Sequence, residues 1–187
     1  MNTELNPYYV HPYYSTQWPY PMPSYWTLQQ DRRNFYSHGY SENLLNNRNP
    51  QIELKDYGGK PFVVNIEQAA KQNPNYRTAI WTGNHLQVTL MSIDVGGDIG
   101  LEVHPDVDQF IRIEQGQGLV QMGKRKNVLD FERNVSEDDA IMIPAGTWHN
   151  VINTGHVPLK LYSIYAPPEH PFGTIHRTKA EAKAVHR

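Results

Sequence analysis

From residue 86 to residue 165 the chain repeats one pattern: a run of four to nine residues rich in β-branched and aliphatic side chains, then a turn. The runs are 86–94, 100–104, 109–114, 119–122, 128–132, 140–144, 149–153 and 159–165, and Gly, Pro, Asn and Asp stand between them. Eight short strands at such spacing have too little length for crossover helices. They close on themselves as an all-β sandwich or small barrel. No stretch of 18 apolar residues is present, so nothing reads as a membrane-spanning helix. The net charge of −2 leaves no basic excess for a nucleic-acid backbone. A chain without Cys has neither disulfides nor thiolate ligands, so any metal must be held by His, carboxylate or amide oxygen.

The flanks differ from this core. Residues 1–46 hold eight of the 12 tyrosines, Trp18, Trp26 and five prolines, with Val10 the single β-branched aliphatic residue. Pro19, Pro21 and Pro23 break helix and central strand alike. The segment reads as an irregular aromatic arm, either mobile or draped over a neighbouring surface. Residues 47–80 form a lead-in with one helix, opened by Asn65, with Gln68 at the capping-box position, and stopped at Asn73-Pro74. The barrel is expected over 81–170 and a C-terminal extension over 171–187, with a short surface helix from Thr178.

Chemistry concentrates in two segments. In the first, Gly96, Glu102, His104, Gln109 and Gly116 fall within 21 residues; in the second, Asp138, Pro144, Gly146, His149 and Asn153 fall within 16. Residues i and i+2 of a strand share a face, so Glu102 and His104 converge. A turn at 105–108 folds the chain back and lets Gln109, Ile111 and Ile113 face the same side. Pro144-Ala145-Gly146-Thr147 is a turn that delivers His149 from another strand. Two imidazoles and a carboxylate with open positions suit non-haem iron and related ions.

In these segments the chain resembles the cupin superfamily, in particular the small mannose-6-phosphate-isomerase-like cupins. His104 stands at the second His of the first cupin motif, Glu102 replaces its first His and Gln109 replaces its Glu. Pro144, Gly146, His149 and Asn153 match the second motif, with Asp138 where a Gly is expected. The resemblance covers about 86–168. It implies a double-stranded β-helix, or jelly roll, with short flanking helices. It also implies a divalent metal held by Glu102, His104, Gln109 and His149, in a pocket lined by Ile111, Ile113 and Asn153. Trading one imidazole for an amide favours Mn, Fe or Ni over Zn.

The function that follows is a metal-dependent cupin acting on a small molecule, by oxygenase- or isomerase-like chemistry. The alternative is a non-catalytic structural or binding cupin, because the Tyr/Pro-rich arm resembles some spore-coat and surface-layer compositions. No free inner carboxylate identifies itself as an acid–base partner. His170, His176 and Arg177 follow the last run, either as surface groups or folded over the pocket mouth. Lys124-Arg125-Lys126 reads as a solvated hairpin tip. Parity turns the apolar Leu101, Val103 and Phe110 outward, which calls for a cover: the arm, residues 50–80, or a second copy in a homodimer. The expected setting is cytoplasmic, or a spore coat, with no membrane or nucleic-acid partner.

Overall fold

The computed structural model describes residues 51–185; the arm expected over 1–46 lies outside them. Helix α1 (Ile66–Gln72) is followed by strands β1 (Arg77–Thr82), β2 (Gln87–Ile93), β3 (Asp108–Gln115), β4 (Gln117–Gly123), β5 (Phe131–Ser136), β6 (Ala140–Ile143), β7 (Trp148–Asn153), β8 (Leu159–Ala166) and β9 (Ile175–His176), then helix α2 (Lys179–Val185). The strands form one sheet in the order β6-β3-β8-β2-β1-β9 and another in the order β5-β4-β7. All pairings are antiparallel. No described helix is long and apolar enough to cross a membrane.

Alternation builds the core. In β3, Gln109, Ile111 and Ile113 are buried while Phe110 and Arg112 are half-exposed, and β8 alternates in the same way from Leu159 to Tyr165. The buried faces of both sheets meet in a cluster that includes Met91, Ile93, Ile111, Ile113, Val120, Val151, Leu159 and Leu161. The chain changes sheets between β3 and β4 at Gly116, whose φ is 94°. A Cβ there would also press against the Leu159 backbone at 3.2 Å, so the turn needs glycine on two counts. Asp138, at the position where the motif expects glycine, takes a φ of 74°. Asp is one of the few residues with a side chain that visits this region.

The helix begins as expected: the Asn65 side chain accepts from the Gln68 amide. Its buried Ala69 and Ala70 pack with Ile80 and Leu90, and Ile52, Leu54, Val64 and Tyr162 pack against this second cluster. Residues 52–70 therefore cover part of the outer face of the large sheet. Three strand expectations are corrected. The run 100–104 is no strand but one isolated bridge, Glu102 to His149. The run 128–132 shifts to β5, because 124–130 form the hairpin tip, with an isolated Arg125–Val128 bridge and Lys124, Arg125 and Lys126 exposed. Strand β1 was not read at all. Its first four residues are all buried, so it lacks the period-2 alternation that marks a half-exposed strand.

Candidate metal centre

The isolated bridge is what assembles the site. The Glu102 amide donates to the His149 carbonyl at 3.0 Å, and the His149 amide donates back to Glu102 at 2.9 Å. These reciprocal bonds set the two side chains opposite each other, and His104, two residues on, shares the face with Glu102. The turn of the second motif is tied to the first, because the Gly146 amide donates to the His104 carbonyl at 2.8 Å. The Ala145 amide donates to Asp108 Oδ1 at 2.8 Å.

One ligand atom from each of Glu102, His104 and His149 falls within 4.8 Å of the others. His104 Nε2 and His149 Nε2 each lie 3.5 Å from Glu102 Oε1, too long for a well-formed hydrogen bond. All three atoms are buried without a hydrogen-bond partner. The far side of each ring is occupied. His149 Nδ1 donates to the Thr147 carbonyl at 2.9 Å, and His104 Nδ1 donates to Glu169 Oε1 at 3.1 Å. With both Nδ1 atoms protonated, both Nε2 lone pairs face the same point as the carboxylate. Buried polar atoms in native proteins are nearly always satisfied, so three orphans converging on one point fit a cation. Burial works to raise the Glu102 carboxyl, but His104, His149 and Arg77 outweigh it and hold it well below the usual carboxylate range. Burial works to lower the His104 imidazole, yet Glu102 and Glu169 carry it above its ordinary value.

The other expected site residues divide. Gln109 is buried and faces inward; its Nε2 donates to Ser163 Oγ at 2.9 Å, which leaves a buried Oε1 without a partner. Ile111 and Ile113 lie fully buried in the core cluster. Asn153 is a tie for the following turn, donating to the Ile93 and Val157 carbonyls and accepting from the Gly155 amide. The cavity of about 320 Å³ that opens beside the cluster is lined instead by Tyr76, Arg77, Glu102, His104, Glu169 and Lys183, among others. Val103, expected outside, is half-buried and borders the same cavity. Leu101 and Phe110 lie toward the outside, Leu101 at 37% exposure and Phe110 half-buried against Tyr162.

Two contributors escaped sequence reasoning. Glu169 arrives because the chain after β8 turns at Pro167-Pro168 and folds over the mouth. Gln87 then clamps it there, accepting from the His170 amide at 2.9 Å and donating to its carbonyl at 2.8 Å. Of the two readings of the segment after β8, His170 follows the one in which it folds over the pocket mouth. Arg77 arrives on the unread strand β1. The Pro-Pro step was the one visible hint of a return path. Glu169→Ala should lower divalent-metal affinity about tenfold, the usual effect of removing a group that orients a ligand, while Glu169→Gln, which keeps an acceptor for His104, should stay near wild type. Equilibrium competition against a metal-binding dye measures both.

This geometry has a family behind it. The cupin domain matches residues 89–165, and the chain belongs to the cupin superfamily. It is 62% identical over 161 residues to the uncharacterized protein YrkC of Bacillus subtilis strain 168, covering 86% of each chain. It is 46% identical over 115 residues to the uncharacterized protein L612 of Acanthamoeba polyphaga mimivirus, covering 61% of this chain and 70% of that one. The crystal structure of BH2720 from Bacillus halodurans, 66% identical, matches with a TM-score of 0.69 over 70% of this chain and 98% of that one.

Proposed function

We propose that this cupin binds a divalent metal through Glu102, His104 and His149, with the Gln109 amide oxygen as a weaker fourth donor, and acts on a small molecule. The observation that carries the reading is the convergence of three buried, unsatisfied ligand atoms whose opposite ring nitrogens are already engaged. Two imidazole nitrogens, a carboxylate and an amide oxygen suit Mn, Fe or Ni better than Zn. Bound there, such an ion supplies Lewis acidity and a template for orienting a substrate oxygen. The chain's own part is to fix the two imidazoles, to hold the carboxylate ionised and to enclose the substrate in the neighbouring cavity. Glu169 is the cavity carboxylate outside the ligand set, and it is the group placed to hold or pass a proton at its free oxygen. Oxygenase- and isomerase-like reactions both use these elements.

Protons and metal compete for the imidazoles, which gives the test its sign. The His104 pKa in the metal-free protein lies above the ordinary value of about 6.5, so below it the proton must leave before a metal binds. Affinity should therefore fall about tenfold per pH unit on the acid side and level off above the raised pKa. Titration with Mn²⁺ between about pH 5.5 and 8.5 reads this out. A flat profile would count against an imidazole-based site.

The homodimer belongs to the same reading. Met142 is 66% exposed on β6, one of the two edge strands of the large sheet. Phe110, Met142, Pro144 and Ile164 line an apolar groove beside it, and an apolar edge of this kind favours a second copy. Sedimentation at tens of micromolar should show a dimer that Met142→Glu dissociates. A wild-type monomer would remove this part of the account.

A further inference from the structure

Arg77 is 3% exposed, at the start of β1, and it lines the cavity beside the metal ligands. A guanidinium cannot shed its charge by deprotonation, and it carries five donors. Yet among the described residues it has no ion pair within 4.0 Å, and its Nε is buried without a hydrogen-bond partner. Its neighbours are aromatic. The Tyr76 ring centroid lies 5.6 Å from Cζ, and the Tyr76 hydroxyl is spent on the Ile99 carbonyl at 2.8 Å. Tyr165 and then Glu102 are the polar groups that act on Arg77 most; a phenol brings no full negative charge, and Glu102 Oε1 is turned to the two imidazoles.

A buried, unpaired cation is costly unless something brings the matching charge. Among the described residues no further group supplies it. Arg77 and Lys183 set two positive charges around the cavity against the carboxylates of Glu102 and Glu169, so a divalent ion leaves the space two positive charges in excess. An anion is therefore the complementary occupant. The flat fork of Arg suits a carboxylate, which it engages with two parallel hydrogen bonds. A cavity of about 320 Å³ limits the ligand to a small molecule.

We propose that the cavity takes a small carboxylate, with its carboxylate group on the Arg77 guanidinium and a second oxygen directed to the cluster of Glu102, His104 and His149. The second contact and the charge excess rest on the metal reading above; the buried Arg77 guanidinium without an ion pair does not. Malonate and its uncharged diamide, malonamide, are the probes, titrated by calorimetry into the Mn²⁺-loaded full-length protein at fixed ionic strength. Metal content is measured before and after. Wild type should bind malonate at least about tenfold more tightly than malonamide. Arg77→Gln should erase that preference, with malonate binding expressed per ion bound in the same sample, and Arg77→Lys should keep part of it. Equal binding of the two probes by wild type overturns the proposal without recourse to any variant, as does unchanged malonate binding in Arg77→Gln. Binding of inorganic phosphate in preference to malonate overturns the carboxylate assignment. If the protein takes up no metal, the metal reading fails on that measurement alone. A malonate preference that Arg77→Gln removes from the metal-free protein then still supports the Arg77 subsite, and its absence overturns it.

Discussion

Replacing His149 by alanine is expected to lower affinity for a divalent ion by about a hundredfold or more, and Glu102→Ala and His104→Ala should act alike. Loss of a group that merely orients a ligand costs tenfold to a hundredfold, and loss of the ligand itself costs at least that. His149 is the most informative of the three because it is fully buried and its ring is held by the Thr147 carbonyl. Gln109→Ala should have a smaller effect, since a neutral amide oxygen contributes less to a cation than a carboxylate does. Competition titration with a chromogenic chelator ranks all four variants. A His149→Ala protein that folds and binds Mn²⁺ as wild type does would exclude the proposed ligand set.

The second large effect falls on stability. Ile113 is fully buried in the core cluster between the two sheets. Ile113→Ala should cost about 3–4 kcal/mol, the transfer of the lost methylenes plus the cavity they leave. Metal affinity should barely change, because Ile113 borders the core and not the cavity at the ligands. Chemical denaturation gives the first quantity and metal titration the second. A sharp drop in metal affinity at unchanged stability would return Ile113 to the pocket, where parity alone had put it.

That contrast shows what residue spacing can and cannot supply. Strand parity placed Glu102, His104 and Gln109 on an inward face, and the turn before His149 brought the fourth residue to them. Parity also put Ile111 and Ile113 on that face, correctly, but an inward face runs from the ligand site into the packed core, and parity carries no depth. The jelly roll was legible because half-buried strands alternate. Strand β1 was not, since burial of Arg77, Thr78, Ala79 and Ile80 alike erases the alternation. Arg77 went unseen with it. The segment 100–104 read as a strand for the opposite reason: its composition alternates, but it finds one bridge partner and no ladder. Glu169 depends on a chain reversal and a clamp by Gln87, 82 residues earlier, and no local pattern encodes such a contact.

Glu102, His104 and His149 are proposed as a metal site and not as three polar groups that happen to meet. Elemental analysis of the full-length protein, purified without chelators beside the His104→Ala/His149→Ala double variant, tests it most directly. One divalent ion per chain is expected in wild type and close to none in the double variant, with both proteins folded by circular dichroism. Equal metal content in the two, or a wild-type protein that takes up no ion even when one is supplied, would contradict it.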